Sequence, residues 1–220
     1  MAKELAIILS NGSINSAVVT ALAAQKHRLV MLHVDTGPSP GRAGLAFDQQ
    51  VQSLKPYRSH HAPMNFLAGL EKTDSKPGAV DPRAGEDVSQ QLLSLTPIIA
   101  VGMRYAAHYN AMSVYAGIRV GPDGSDLARV TEHAQIWAEM MQLTCDRPNL
   151  DLQLPLLELE PWQVVDLGVQ VAAPMGQTWT CDSGVGEPCG GCRGCRMRDN
   201  AFVRAGKTDP SKAKEIARAG

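Results

Sequence analysis

The sequence predicts an α/β fold, a mainly parallel sheet flanked by helices, and three observations predict it. Residues 4–34 read as the apolar run ELAIIL, the helical stretch NSAVVTALAAQK and a second apolar run, LVMLHV. Parallel strands need a crossover rather than a hairpin, so a helix between two short apolar runs signals a βαβ unit. Both runs are continuously apolar, as strands covered on two faces are. The alternation then recurs, with a helix over residues 97–109 followed by a buried strand over 111–116.

The elements follow in order. The first strand covers residues 4–9 and the first helix 15–26, with Val18, Val19 and Leu22 as apolar positions. The second strand, 29–34, runs into Asp35, and the Gly- and Pro-rich TGPSPGRAG after it reads as a loop. A helix over 45–54 and a third strand over 57–61 follow. Residues 64–85 carry Pro, Gly, Lys and Asp without periodicity and read as a long, mobile excursion, a functional lid or a disordered stretch. RVGPDGSD is a second glycine-rich loop at a strand end, and residues 129–143 form the next helix. Pro161 opens a helix reaching residue 168, and Asp209-Pro210 marks the start of a last one.

The 220 residues are 44% hydrophobic and 20% charged, with a formal net charge of −1. That supports a full core and supplies no global field toward nucleic acid or an acidic membrane. No apolar run reaches the length of a membrane span or of a secretory signal, so a cytoplasmic protein is expected.

Ligands of parallel sheets bind beyond the carboxyl ends of the strands. The loops of interest are therefore 10–16, 35–44 and 117–126. The first joins a strand to a helix start, where backbone N–H groups hold phosphate. It makes Ser10, Asn11, Gly12, Ser13, Asn15 and Ser16 candidates for nucleotide or phosphate binding, with Asp35 at the neighbouring strand end. Arg42, Gly117 and Asp123 are candidates for contact with a ligand, beside Asp126 and Arg129. His60 and His61 have no acid or thiol placed beside them by the sequence and read as surface or core residues.

CDSGVGEPCGGCRGC brings Cys181, Cys189, Cys192 and Cys195 together in a C-x7-C-x2-C-x2-C pattern, while Cys145 stands apart and reads as a core residue. Four thiolates complete a tetrahedral zinc shell, and the short gaps let neighbours face one ion. With four protein ligands and no open position the metal is structural. Free thiols, or a redox pair of Cys192 and Cys195, are the alternative. Arg193, Arg196 and Arg198 are placed to offset the charge of a four-thiolate centre.

The segment GQTWTCDSGVGEPCGGCRGCRMRDNAF resembles the carboxy-terminal zinc segment of the 7-cyano-7-deazaguanine synthases, in the PP-loop ATP pyrophosphatase superfamily. Thr178-Trp179-Thr180, the four cysteines, Gly190 and Arg198 carry the likeness, and the order of elements agrees with it. The resemblance implies a Rossmann-like domain over residues 1–175 with a zinc-binding and helical segment, 176–220, packed on it. It also implies ATP, Mg²⁺, structural Zn²⁺ and a homodimer. The reaction it implies adenylates 7-carboxy-7-deazaguanine and uses ammonia to form an amide and then a nitrile, toward queuosine-type nucleosides.

The chain departs from that pattern in the loop. Where the family reads S-G-G-x-D-S, Ser10 and Gly12 match, but Asn11 replaces a glycine, Ile14 the acid and Asn15 a serine. With one more residue in the loop, Asn15 and Ser16 take the last two places; in either alignment the carboxylate is gone. Mg²⁺ favours carboxylate oxygen, which speaks against metal-assisted ATP binding. Near Pro97 the family's P-G-R-N is replaced by Ile98, Ile99 and Ala100 after the proline, which reads as a buried helix. Three functions follow. The first is a diverged family member that binds a nucleotide or purine-like ligand with weakened or lost ATP chemistry. The second is an active ligase in which Asp35 or Asp123 compensates. The third is a zinc-containing nucleic-acid or protein binding module using RGCRMRDNAFVRAGK, against which the near-neutral charge and the lone Phe202 argue.

Overall fold

The computed structural model describes residues 3–36, 41–69, 88–120, 124–182 and 186–212. Strands β1 (Leu5–Leu9), β2 (Arg28–Asp35), β3 (Arg58–Pro63), β4 (Ser113–Ala116) and β5 (Asp151–Gln153) form one sheet in the order β3-β2-β1-β4-β5. Every pairing is parallel. This is the Rossmann-like arrangement, and the order reverses between β1 and β4, so the strand-end crevice lies between those two.

Side chains alternate across β1 because successive residues of a strand point to opposite faces. Ala6 and Ile8, with Met31 and Tyr115, meet one face, which is covered by α1 (Ile14–Ala24), α5 (Pro161–Gln170), α6 (Arg193–Arg204) and Phe47 of α2 (Arg42–Leu54). Ile7 and Leu9, with Val30 and Val114, meet the other face, under α3 (Val88–Tyr109) and α4 (Gly124–Cys145). Apolar cover on both faces is why the strands read as unbroken apolar runs. Pro161 holds the first helical position of α5, where Glu160 and Gln163 complete a reciprocal cap.

Several boundaries differ from the sequence reading. Helix α3 begins at Val88, nine residues before the expected Pro97, which lies inside it. Val88, Leu92, Ile99 and Ala106 are buried at helical spacing, and this continuous apolar stripe outweighs the one hydrogen bond that an internal proline removes. Helix α4 likewise starts at Gly124 rather than Arg129, and α2 at Arg42 rather than Leu45, so Arg42 sits on a helix and not in the loop. Strand β5, only three residues long, carries no periodic signal. Of the expected excursion, Asn65–Gly69 forms a 3₁₀ turn, and residues 70–87 lie outside the described residues. At the last helix, Asp209 Oδ1 accepts from the Ser211 N–H at 2.9 Å, as a cap should.

Candidate functional site

The loop after β1 turns at Gly12, whose φ is +76°. A Cβ there would stand 2.3 Å from the Ala43 carbonyl oxygen of α2, so only glycine fits. Ser13 then caps α1, its Oγ accepting from the Ser16 N–H at 3.4 Å. The Asn11 carboxamide folds over the same turn. Its Oδ1 accepts from the Ser13 N–H at 3.2 Å and from the Ser16 hydroxyl at 3.3 Å. The Ser16 hydroxyl also reaches the Ser13 carbonyl at 3.0 Å, so two donors that face a phosphate in an open loop are turned toward the loop itself.

Neighbours fix the turn. The Gly12 carbonyl accepts from the Gln50 side chain at 3.0 Å and from the Trp179 N–H at 2.9 Å. The Ser10 carbonyl accepts from His33 Nδ1 at 2.8 Å. Burial pushes the His33 pKa down, against the opposing effect of that bond, and His33 stacks on Phe47. Across the crevice, Asn15 Nδ2 donates to the Gly117 carbonyl at 3.2 Å, which ties the loops after β1 and β4 together. Gly117 allows this approach, since a Cβ would lie 2.9 Å from the Asn15 carbonyl carbon.

A cavity of about 230 Å³ opens over these strand ends. Ser10, Asn11, Ser13, Ser16 and Gly117 line it, so five sequence candidates do converge. Much of the rest of the wall is apolar and includes Leu95, Ile98 and Ile99 of α3. The segment expected to be merely buried therefore shapes the site as well. Arg119, which sequence reasoning passed over, also lines this cavity and a second one of about 480 Å³ on the other side of the loop. Asn11 and Ser13 are shared by both cavities, while Asn15 and Trp179 line the second of these two and not the first. Arg119 stands two residues past the strand-end glycine, and its position there was the available signal. Burial pulls its pKa below the ordinary arginine value.

The other candidates lie apart. Asp35 ends β2, where its carbonyl accepts from the Met64 N–H at 2.7 Å, and it is outside the lining of the serine cavity. Arg42 stacks over Trp179 at 5.6 Å and lines a third cavity, of about 430 Å³, beside the cysteine segment. Asp123 lies outside the described residues. Asp126 and Arg129 are on α4 and line none of these three cavities. His61 does have an acid beside it, contrary to the sequence reading. Its Nε2 is 2.8 Å from Asp48 Oδ1, contributed by α2, and both side chains are about half exposed.

The sulfur atoms of Cys181, Cys189, Cys192 and Cys195 all lie within 4.8 Å of one another, so the four could hold a metal ion. Cys181 and Cys192 sulfurs are 3.9 Å apart. A tetrahedral shell with metal–sulfur bonds of about 2.3 Å needs about 3.8 Å between sulfurs. Backbone N–H groups of Cys189 and Asp182 point at the Cys181 and Cys192 sulfurs, each at 3.4 Å. These contacts favour thiolates and orient them, the usual support for metal ligands. Burial, together with the Cys192 contact, pushes the Cys195 thiol up to about 12.

Arg198 does not serve the charge of this centre, as the sequence suggested. It is buried, with Nε 2.6 Å and Nη2 2.8 Å from the two Asp209 oxygens. Nη1 also donates to Thr178 Oγ1 at 2.8 Å and Nη2 to the Met175 carbonyl at 3.0 Å. The basic appearance of the segment is largely cancelled, since Arg204 pairs with Glu160, Lys207 with Asp166 and Lys212 with Asp199.

Residues 5–206 match the family model of the queuosine biosynthesis protein QueC. The 7-cyano-7-deazaguanine synthase of Synechococcus sp. (strain CC9902) is 27% identical over 95% of this chain and 97% of its own. That of Gloeothece citriformis (strain PCC 7424) is also 27% identical, over 99% of this chain and 98% of its own. The solved U34-tRNA thiolase NcsA from Methanococcus maripaludis, with its [4Fe-4S] cluster, shares the fold at a TM-score of 0.53 and 11% identity, covering 93% of this chain and 68% of its own. Among the described residues no helix is long and apolar enough to cross a membrane.

Proposed function

Because the chain belongs to the QueC family of queuosine biosynthesis proteins, we propose that it is a diverged synthase-like member. It binds a nucleotide or purine-like ligand at the β1–β4 crevice, with its ATP chemistry weakened or lost. One observation carries this reading: among the described residues no carboxylate lines the cavity, and Asn11, Ile14 and Asn15 occupy the loop. Mg·triphosphate needs carboxylate oxygen to fix the metal. Amides and hydroxyls alone hold an anion at about millimolar affinity.

The chain's own groups would act as follows. At the start of α1 the Ser13 hydroxyl is the donor offered to an anionic oxygen, since the Ser13 amide and both Ser16 donors have partners within the loop. The apolar wall from α3 covers a flat body and excludes water. The cysteines would hold zinc, which with four protein ligands supplies folding energy and no open coordination site. Their close grouping suits one ion, because a four-iron cluster places each thiolate on a different iron and spreads them further. The work of the protein is then in the cytoplasm, and a second copy of the chain is its expected partner.

Titration calorimetry with ATP, with and without Mg²⁺, tests the reading, beside pyrophosphate release on adding 7-carboxy-7-deazaguanine and ammonia. Weak, Mg²⁺-indifferent binding without release supports it. Micromolar Mg²⁺-dependent binding with release overturns it in favour of a working ligase, the second reading, which the near-complete coverage of synthase relatives favours. Metal analysis with thiol counting tests the zinc: about one zinc per chain is expected, and four freely titrating thiols without metal would refute it.

A further inference from the structure

Arg119 occupies an unusual place. Among the described residues its one hydrogen bond is from Nη1 to the Leu159 carbonyl, at 3.4 Å and therefore weak. No ion pair is formed by it among those residues. The carboxylate whose charge acts on it, Glu160, is already engaged by Arg204 at 3.2 Å. A half-buried guanidinium with so little compensation favours an anionic partner. Its position gives that partner a place, because Asn11, Ser13 and Arg119 are common to the serine cavity and the larger cavity behind the loop.

The loop itself offers little charge neutralisation. The Ser13 amide is directed at Asn11, the Ser16 hydroxyl at the Ser13 carbonyl and at Asn11, and the Ser16 amide at the Ser13 hydroxyl. Among the described residues of the lining there is no carboxylate to recruit a divalent cation. Beyond the loop, Leu9, Leu32, Val34, Ile98 and Ile99 form a wall that favours a weakly hydrated body over a hydrated metal–triphosphate.

We propose that Arg119 binds the anionic group of the ligand directly and replaces the metal at this site, so that the chain takes a monophosphate or carboxylate with a flat apolar body and needs no divalent cation. The inference rests on the crevice being the ligand site, as argued under the proposed function. A planar fork of donors suits either anion, since both present paired oxygens.

The test uses the full chain and three probes, namely AMP, adenosine and inorganic phosphate, each titrated calorimetrically in EDTA and again in Mg²⁺. The variants are Arg119→Gln and Arg119→Lys, with thermal melts as the control for folding. AMP and phosphate should bind wild type equally in both buffers. They should weaken at least tenfold in Arg119→Gln and less in Arg119→Lys, while adenosine binding stays within twofold. If AMP and adenosine fail to bind but phosphate binds in an Arg119-dependent way, the assignment of Arg119 stands and the nucleotide reading falls. Phosphate binding that needs Mg²⁺, or that is unchanged in a folded Arg119→Gln, overturns the assignment whatever AMP does. Failure of wild type to bind any of the three probes overturns it too.

Discussion

Replacing Arg198 with methionine should be among the most damaging single changes in this chain, although Arg198 lies on α6, outside the sheet. The side chain is only 8% exposed and its partner Asp209 5%. Methionine keeps roughly the volume and leaves Asp209 charged, buried and without its two guanidinium bonds. Breaking a buried pair from one side costs about 3–5 kcal/mol. At about 2–4 °C per kcal/mol for a chain of this size, the melting temperature should fall by about 6–20 °C. The Thr178 and Met175 contacts go as well, and they anchor the strap whose next residue, Trp179, holds the Gly12 carbonyl. Phosphate binding should therefore weaken in protein that remains folded. Urea denaturation of wild type, Arg198→Met and Arg198→Met/Asp209→Leu is the assay. The double variant should recover most of the loss, because no charge is stranded. A single variant within about 1 kcal/mol of wild type would refute the reasoning. The pH profile gives a second check. Burial pushes the Asp209 carboxyl up, but the Arg198 bonds and charge outweigh burial and hold its pKa below the usual value. A depressed folded pKa contributes stability above the unfolded value of about 3.9, and loses it as pH falls through the folded one. That acid slope should be absent from the double variant.

Three further outcomes are expected. Asn11→Ala, which frees the Ser13 amide while the Ser16 hydroxyl keeps the Ser13 carbonyl as its acceptor at 3.0 Å, should tighten inorganic phosphate binding about fivefold, near 1 kcal/mol for one regained hydrogen bond; calorimetry showing equal or weaker binding contradicts it. Gly12→Ala forces a Cβ to 2.3 Å from the Ala43 oxygen at positive φ, and should cost about 1–3 kcal/mol in chemical denaturation while lowering phosphate affinity. His33 has its pKa lowered, chiefly by burial, with His61, Asp35 and Asp48 also acting on it. The unfolded chain therefore takes up the proton first, and stability should decline as pH falls from about 6.5 toward the folded value. His33→Gln should flatten that part of the urea-midpoint profile, and an unchanged slope would place its origin elsewhere.

The sequence by itself determined the sheet, because apolar runs covered on two faces and separated by helices leave few alternatives to parallel βαβ units. It also determined the grouping of the four cysteines and the strand–turn–helix shape of the first loop, since four thiols at close spacing and a polar turn between strand and helix are local patterns. Whatever depended on meetings between distant segments was settled only by the tertiary structure. Pro97 reads locally as a helix start, yet the buried stripe from Val88 to Ala106 carries the helix through it. Arg198 reads as part of a basic run serving the thiolates, yet Asp209, Thr178 and Met175 claim it. Arg119 carries no motif. It faces the site because the strand order reverses between β1 and β4, and that reversal opens a crevice where the loops after both strands meet.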